Sequence, residues 1–316
     1  MKTHHILSSS LLILCGSFSL ACAKGKAWTE PETASKENPD FLIQGEYFKK
    51  DNLGIQVVAL GDRNFQASIH QGGLPGAGAK GKPTVLKGRT SDGKTQLIGQ
   101  EGQSLVISEG KAKLGGVTCK KIERKSPTLG QAPPKGSTIL FDGKINVFNP
   151  GKTRGKYLAE GQISKVKFKD FHLHIEFRTP FKPATKPGSQ DRGNSGVYIF
   201  NNYETQVLDT FGIKAEFNFC GALYRTKAPD VNMCLPPLSW QTYDIHFTAP
   251  RFEDKKKTSN ARITTLHNGI KIHDDFELKK GTGAGGGRPE KPESHIHLQG
   301  HGNPVSYRNI WLLPKG

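Results

Sequence analysis

Short runs in which apolar and polar residues alternate, separated by glycine and proline turns, recur along most of the chain. The clearest run is HLHIEFR at residues 172–178. Because neighbouring side chains of a β-strand point to opposite faces, such a run can bury one face and keep the other polar. Helical periodicity is almost absent from the second half of the chain. The pattern therefore predicts an all-β protein.

The chain is long enough for two domains, each with its own core, since it has 316 residues. A proline- and glycine-rich segment, SPTLGQAPPKG at residues 126–136, suits an extended linker. We therefore predict a small β-rich domain at residues 40–125 and a larger β-sandwich at residues 137–316. The Glu-, Pro- and Lys-rich residues 24–39 are predicted to form a flexible leader.

Residues 1–23 have the pattern of a signal peptide. An apolar run, residues 6–20, is followed by Ala21-Cys22-Ala23, which has the small-x-small form of a cleavage site. The apolar run is short for a membrane span, and no later segment is long and apolar enough to be one. We expect an exported protein, periplasmic or extracellular, without a membrane span. A lipid anchor at Cys22 is the alternative.

The formal net charge of +17 raises the question of a nucleic-acid partner. However, the basic residues are scattered through every segment, and no recognition helix, stacking sheet or zinc-finger pattern is present in the sequence. We therefore predict no nucleic-acid partner and a solvated basic surface. Attraction to an acidic polysaccharide is the alternative reading of the charge.

Three cysteines follow the predicted signal peptide, namely Cys119, Cys220 and Cys234. In an oxidising compartment a pair of cysteines tends to form a disulfide. We predict Cys220 and Cys234 as that pair. A zinc site there would need more ligands than the single nearby His246.

Three predicted strands are polar on one face. They are residues 172–178, residues 204–209 (ETQVLD) and residues 295–301 (HIHLQGH). Acids, amides, imidazoles and an arginine share these faces, and such groups recognise sugar hydroxyls and transfer protons. A surface strand with a merely solvated face is the alternative.

Aromatic residues and a glycine-flanked turn accompany these strands. Most of the rings are expected in the core, whereas Tyr224 and Trp240 are predicted to face a ligand. In GNSG at residues 193–196 the backbone could approach a ligand closely, with Asn194 at the groove wall. A tight turn is the equal alternative there.

From about residue 136 onwards the chain resembles the 3-keto-disaccharide hydrolase domain family. This resemblance implies a concanavalin A-like jelly-roll β-sandwich and a hydrolase or lyase acting on glycosides oxidised at C3. The motifs that carry it are LFDG at residues 140–143, EFR at 176–178, GNSGVY at 193–198, YETQVLD at 203–209, CGALY at 220–224, WQTYDI at 240–245, HNG at 267–269, LQGHG at 298–302 and RNIW at 308–311.

The implied chemistry makes physical sense, because a ketone at C3 acidifies the hydrogen at C2. A base can then remove that hydrogen, the glycosidic oxygen leaves by β-elimination, and water adds back. The resemblance places Glu176 or Glu204 as the base and Asp209 or His301 as the acid, although in a regular strand Asp209 points away unless a bulge intervenes. The expected substrate-binding residues are Arg178, Asn194, Gln206, Tyr224, Trp240, Gln299 and Arg308.

The position of Gln206 also favours elimination. Laminarinase-type jelly rolls carry an acid between two spaced carboxylates on the catalytic strand, and here Gln206 occupies the middle position. This departure weakens a retaining-glycosidase mechanism.

No cofactor follows with certainty from the sequence. A divalent metal that polarises the ketone is one possibility. Its predicted ligands are His172, His174, His295, His297 and His301.

Two other functions compete with the enzyme. One is a non-catalytic carbohydrate-binding sandwich, in which the carboxylates only accept hydrogen bonds. The other is a surface interaction protein in which the N-terminal β-domain binds the partner and the sandwich is a scaffold.

Overall fold

A computed structural model describes residues 25–50 and 52–315; the predicted signal peptide and Cys22 lie outside the described residues. The chain forms a closed antiparallel barrel followed by two packed antiparallel sheets. This confirms the predicted all-β fold, with a small β-rich domain before a β-sandwich. The barrel strands are β1 Gly45–Lys49, β2 Leu53–Gly61, β3 Asn64–Gln71, β4 Lys80–Ser91, β5 Lys94–Ile98, β6 Ser104–Ser108, β7 Lys111–Leu114 and β8 Val117–Ile122.

Tight turns and an apolar interior close the barrel. β1 pairs with both β2 and β8, so the barrel sheet has no free edge. The turns between β2 and β3, β4 and β5, and β6 and β7 contain residues with positive φ, for example Asp62 at 50° and Arg63 at 62°. Positive φ matches the twist of two-residue hairpins. Ile55, Phe65 and Leu97 lie in the barrel core.

The region predicted as a flexible leader is folded in its described part, residues 25–39. It contains α1 Pro31–Glu37 and is followed by α2 Asp40–Ile43. Pro31 is at the start of α1, where its missing N–H is tolerated. Backbone N–H groups of Trp28 and Phe181 donate to each other's carbonyls at 3.0 and 2.9 Å. The prediction of a flexible leader is wrong here. Ala34 is buried and Trp28 packs against the barrel core, and these apolar contacts order the segment despite its polar composition.

The sandwich consists of a five-stranded and an eight-stranded sheet. The five-stranded sheet has the order β10-β13-β22-β15-β16, and the eight-stranded sheet has the order β11-β12-β23-β14-β17-β20-β21, with β9 paired to β23. The five-stranded sheet comprises β10 Phe148–Asn149, β13 Gln162–Ser164, β15 Ser195–Ile199, β16 Tyr203–Val207 and β22 Ile296–Leu298. The eight-stranded sheet comprises β9 Thr138–Phe141, β11 Thr153–Arg154, β12 Tyr157–Ala159, β14 Phe171–Arg178, β17 Gln241–Thr248, β20 Ala261–His267, β21 Ile270–Leu278 and β23 Ser306–Pro314, and a separate hairpin comprises β18 Arg251–Glu253 and β19 Lys256–Ser259.

The core between the sheets fixes which way each polar residue faces. Ile175 and Phe177 of β14 pack in one cluster with Val197 of β15 and Tyr203 of β16. Alternation then sends the polar residues of β14 to the outer face of the eight-stranded sheet, and those of β16 to the outer face of the five-stranded sheet. The polar strand faces predicted from the sequence therefore lie on opposite sides of the sandwich.

The segment predicted as an extended linker packs along the outer face of the eight-stranded sheet. The Thr128 hydroxyl donates to Asp244 at 2.7 Å, and the Gly130 N–H donates to Glu176 at 2.6 Å. The Asn309 amide donates to the carbonyl of Gln131 at 3.1 Å. The polar face of β14 thus binds the linker.

The barrel also contacts the loops that precede and follow β15 and β16. The buried Arg192 guanidinium donates to the Ala59 carbonyl of β2 at 3.2 Å. The Ser68 hydroxyl donates to the carbonyl of Gly212 at 2.7 Å. These bonds attach the barrel to the loop before β15 and to the loop after β16. No helix in the described residues is long and apolar enough to cross a membrane.

Candidate functional site

The candidate site lies on the outer face of the five-stranded sheet. Tyr198 of β15 lies opposite Glu204 of β16 on one side and opposite His297 of β22 on the other. The Tyr198 and His297 rings stack with centroids 5.4 Å apart, and the Arg288 guanidinium carbon lies 5.9 Å from the Tyr198 ring. Asn201 Oδ1 holds the Arg288 and His297 side chains in place, since it lies 2.8 Å from Arg288 Nη1 and 2.9 Å from His297 Nδ1.

The next row of the same face has a glycine at its centre. Gly196 pairs with Gln206 of β16, and its carbonyl accepts a hydrogen bond from the Gln299 N–H at 2.9 Å. A Cβ atom at position 196 would lie 2.3 Å from Oε1 of Glu204. A side chain at position 196 would therefore displace the Glu204 carboxylate, which occupies the room that the glycine leaves.

A chain of carboxamides forms one wall of the site. Gln190 Oε1 accepts hydrogen bonds from Asn194 at 3.2 Å and from Gln206 at 3.0 Å. Its own amide donates to the carbonyl of Asn218 at 3.1 Å. Asn194 and Gln206 are thereby held at fixed positions beside Gly196.

Three buried oxygens around Gly196 have no hydrogen-bond partner in the described part of the chain. They are Oδ1 of Asn194, Oε2 of Glu204 and Oε1 of Gln299. A buried acceptor without a donor costs about 1–3 kcal/mol. Three such acceptors on one face are typical of a site whose donors come from a ligand, and sugar hydroxyls are donors of that kind.

Burial raises the pKa of Glu204 to about 7, and the nearby Tyr198 phenol and Arg288 guanidinium offset only part of this effect. Burial and the neighbouring carboxylate raise the pKa of Tyr198 well above its usual value, so the phenol stays protonated. Burial and Arg288 lower the pKa of His297. Glu204 is therefore the carboxyl group of this row that can exchange a proton near neutral pH.

Glu176 lies on the opposite outer face, under the linker. Its carboxylate accepts hydrogen bonds from Arg308 at 2.6 Å, Gly130 at 2.6 Å and Asn309 at 2.9 Å. Burial alone would raise its pKa, but His174 and these donors outweigh burial and lower the pKa to about 2. A carboxylate so stabilised is a poor base, and it is not part of the Glu204 site.

Arg178, Trp240 and Arg308 share this opposite face with Glu176. The Trp240 ring centroid lies 4.9 Å from the guanidinium carbon of Arg178 and 4.1 Å from that of Arg308. Arg178 also donates to Glu30 at 2.6 Å. These residues line a cavity of about 860 Å³ between the barrel and the sandwich. The structure thus separates them from Asn194, Gln206 and Gln299.

Asp209 faces neither site. It accepts a hydrogen bond from Arg192 at 2.8 Å, and both side chains are fully buried. Burial raises the pKa of Asp209, and the Arg192 guanidinium offsets only part of this rise. The pair joins the loop before β15 to the end of β16. The bulge that Asp209 would need to join the face of Glu204 and Gln206 does not occur within β16, which pairs with β15 in regular register from Ile199↔Tyr203 to Ser195↔Val207.

Tyr224 and His301 lie at the edges of the Glu204 site. The Tyr224 N–H donates to the carbonyl of Glu204 at 3.1 Å, and the Tyr224 side chain is half-buried. His301 is exposed, two residues beyond Gln299. The structure therefore connects Tyr224 to β16 through the backbone, whereas no hydrogen bond of the His301 side chain with Asn194, Glu204, Gln206 or Gln299 is present among the described residues.

Sequence reasoning missed Gln190 and the full part played by Tyr198. Tyr198 could have been found, because it follows Gly196 by two residues and so shares its face. Gln190 lies in an irregular loop, where no periodicity exists to place its side chain.

The five histidines proposed as metal ligands do not converge. His174 is on the outer face of the eight-stranded sheet, where its Nδ1 lies 2.7 Å from Asp244, and His172 is beside it. His297 lies on the other outer face. Among the described residues no group of three or more His, Cys, Asp or Glu side chains is placed to hold a metal ion. The histidines thus do not fit the predicted ligand set, and no step is assigned to a metal.

The predicted disulfide is not formed. Cys119, Cys220 and Cys234 are buried free thiols. Cys220 Sγ lies 3.3 Å from the Tyr243 hydroxyl, and Cys234 Sγ lies 3.6 Å from the Leu208 carbonyl. The two thiols are neighbours in the core between the sheets.

The fold and the site together define a class: a two-sheet β-sandwich that displays an ionisable carboxyl among carboxamides and aromatic rings on an outer face. Such a surface is typical of carbohydrate-active sandwiches. Residues 126–313 match the family model described as the 3-keto-alpha-glucoside-1,2-lyase-like domain. The chain therefore belongs to this family, which confirms the resemblance seen in the sequence.

Solved structures from Parabacteroides distasonis are also similar to the chain. One, a candidate glycosyl hydrolase, is 28% identical with a TM-score of 0.51, and the alignment covers 58% of this chain and 86% of that chain. A second candidate glycosyl hydrolase is 16% identical with a TM-score of 0.42, covering 58% of this chain and 95% of that chain. No curated protein matches the chain. The family and the first of these structures point to glycoside processing as the general function.

Proposed function

We propose that this protein cleaves the glycosidic bond of 3-keto-glycosides by proton abstraction at C2, β-elimination and rehydration. The observation that carries the proposal is the Glu204 carboxyl, whose pKa is raised to about 7 and whose Oε2 is buried without a hydrogen-bond partner in the described part of the chain. A general base works best when its pKa is near the operating pH. Membership of the 3-keto-alpha-glucoside-1,2-lyase-like family supports the substrate class.

In the first step Glu204 takes the proton from C2 of the 3-keto sugar. The electrons of the broken C–H bond pass into an enolate whose oxygen is at C3. The protonated Tyr198 phenol beside Glu204 is a donor for this oxygen, and the Asn194 amide, which donates one N–H to Gln190, has a second N–H to donate. Gln206 donates to Gln190 and to the Asn218 carbonyl, so it holds this wall of the site in place. Fixed donors of this kind stabilise the charge that develops in the transition state.

In the second step the enolate re-forms the C3 carbonyl, a C1–C2 double bond forms and the C1–O bond breaks. The leaving oxygen needs a proton, and we assign this proton to His301, which is exposed and follows Gln299 by two residues. Water then adds at C1 and gives its proton to the deprotonated His301, while C2 regains a proton from the Glu204 carboxylic acid. The products are the free 3-keto sugar and the released alcohol, and Glu204 returns to its starting state.

The substrate is proposed to be an oxidised oligosaccharide or glycoside met outside the cytoplasm. This location rests on the signal-peptide pattern of residues 1–23. Elimination rather than direct displacement is supported by the site itself, because Asp209 is paired with Arg192 and Glu176 is on the opposite face. Within residues 25–50 and 52–315, Glu204 thus has no second free carboxylate beside it, as a retaining glycosidase would need.

Product analysis tests the proposal. The purified mature protein is incubated with 3-keto-disaccharides and methyl 3-keto-glucoside, with their unoxidised parents as matched controls. Cleavage of the keto compounds alone, with a 2-hydroxyglucal-type intermediate, is expected. Deuterium from solvent should also appear at C2 of the product. Equal cleavage of the unoxidised parents would contradict the elimination mechanism.

A non-catalytic carbohydrate-binding module is the second candidate. It is favoured by the fact that most groups of the site are carboxamides, with Glu204 as the one carboxylate among Asn194, Gln206 and Gln299. Binding of the keto sugars without turnover, measured by calorimetry on the same preparation, would support this function and reject the enzyme.

A further inference from the structure

One aromatic side chain stands apart from all others in the described residues. Phe217 is 51% exposed, whereas every other described Phe, Tyr and Trp is buried or half-buried. A single exposed apolar residue needs no explanation by itself. Its position therefore decides whether it has a function.

Phe217 is attached to the Glu204 site through the backbone on both sides. The carbonyl of the next residue, Asn218, accepts hydrogen bonds from Gln190 at 3.1 Å and from Gln206 at 3.5 Å. The Phe217 carbonyl accepts the Arg225 N–H at 2.7 Å, directly after Tyr224, whose N–H bonds to β16. Phe217 is thus held at the β16 edge of the site.

The two ends of this loop are also fixed by the fold. Gln206 N–H donates to the Ala222 carbonyl and Gly221 N–H to the Gln206 carbonyl, both at 2.9 Å, so residues 220–224 extend the sheet beyond β16. The Phe219 N–H bonds to the Glu216 carbonyl at 3.1 Å, which closes a turn around Phe217. The exposed ring is therefore presented from an ordered turn.

We infer that Phe217 is a stacking platform for a second sugar unit, the one bonded to the 3-keto ring that reacts at Glu204. This inference rests on the proposed function and names the part of the substrate that the edge of the site recognises. Sugars present apolar C–H faces, which pack on aromatic rings, and an exposed ring beside a cluster of polar side chains is a surface for such packing. The platform favours disaccharides over simple alkyl glycosides.

The test compares two substrates with the full-length mature protein. Phe217→Ala is expected to lower kcat/KM for a 3-keto-disaccharide about tenfold, with less than a twofold change for methyl 3-keto-glucoside. Phe217→Trp should retain the wild-type preference. Ile98→Ala, which removes an exposed apolar side chain of the barrel, is the matched control and should change neither value.

Two outcomes overturn the platform: an equal loss on both substrates, or no loss on the disaccharide. If the wild-type protein cleaves neither compound, the proposed function fails, and the platform is then judged by affinity. Calorimetry with the 3-keto-disaccharide should show about tenfold weaker binding for Phe217→Ala than for wild type. Unchanged affinity, or no binding by either protein, rejects the platform.

Discussion

The carboxylate of Glu204 lies over the backbone of Gly196 on the neighbouring strand, so that a β-carbon at position 196 would be 2.3 Å from Oε1 and 3.0 Å from Cδ. Because both residues are buried, the side chain has little room to move aside. The position of the proposed base, Glu204, thus depends on the absence of a side chain at Gly196.

Gly196→Ala should therefore impair activity more than folding. We expect kcat/KM on a 3-keto-glycoside to fall at least tenfold, because the methyl group displaces the carboxylate, with a loss of stability of about 1–3 kcal/mol from overpacking. The measurement is steady-state kinetics together with urea unfolding. Gly116→Ala is the control, since nothing lies within 4 Å of a Cβ there. Full activity of Gly196→Ala would refute the placement of the base.

Glu204→Gln should remove the proposed base while keeping its shape. Turnover is expected to fall at least about 100-fold, the usual contribution of a general base. Glu176→Gln serves as the comparison, because its carboxylate is on the opposite face and should leave kcat within about threefold of wild type. The measurement is kcat of both variants on the same keto sugar. A larger loss of kcat in Glu176→Gln than in Glu204→Gln would identify Glu176 as the base.

The raised pKa of Glu204 predicts two pH effects of known sign. As a base it must be ionised, so kcat/KM should rise with pH through about 7. The second effect concerns stability. A carboxyl whose pKa is raised on folding adds to the free energy of unfolding at pH values below its pKa in the unfolded chain, near 4.5. This stabilisation is lost as pH rises through the folded pKa of about 7. Relative to Glu204→Gln, the wild type should lose up to about 3 kcal/mol between pH 4.5 and 7. A parallel pair of stability curves would contradict the raised pKa.

The Glu176 network predicts the opposite pH dependence. Since Arg308, Gly130, Asn309 and His174 hold the folded pKa of Glu176 near 2, its contribution is present above the unfolded value near 4.5 and is lost as pH falls through about 2. Glu176→Gln should cost about 3 kcal/mol at pH 6 and little at pH 2. Chemical unfolding at both pH values measures this difference. Proteolysis within residues 126–136 should also become faster in the variant, because the linker loses its Gly130 bond.

The buried Arg192–Asp209 pair should behave as a unit. Arg192→Met or Asp209→Leu alone leaves an uncompensated buried charge and is expected to cost about 3–5 kcal/mol. The double variant should be more stable than either single one. Unfolding of the three variants gives the coupling energy. Activity should fall in all of them, since Arg192 holds the loop that carries Gln190 and Asn194.

Much of the site could be read from residue spacing. Asn194, Glu204, Gln206 and Gln299 were predicted as ligands or catalysts, and the structure brings them together. Their strands alternate regularly, so the sequence indicates which residues share a face. Gln190 could not be predicted in the same way, because its position depends on a loop held by Arg192 and by contacts with the barrel.

The sequence could not distinguish one outer face of the sandwich from the other. Glu176 and Arg178 alternate on β14 as cleanly as Glu204 and Gln206 do on β16. However, Glu176 is bonded to the linker and Arg178 to Glu30 of the N-terminal segment. Alternation specifies two sides of a strand but does not say which side meets another part of the chain.

Local pattern by itself determined the all-β fold, the β-sandwich with its preceding β-domain and the family, because turns, alternation and motifs are short-range properties of the chain. Tertiary structure decided the rest. It placed Glu204 beside Gly196, engaged Glu176 with Arg308 and Asp209 with Arg192, and folded residues 31–37 into a helix. Burial and pairing of charges depend on segments far apart in sequence, and these long-range contacts set the pKa values on which the proposed chemistry depends.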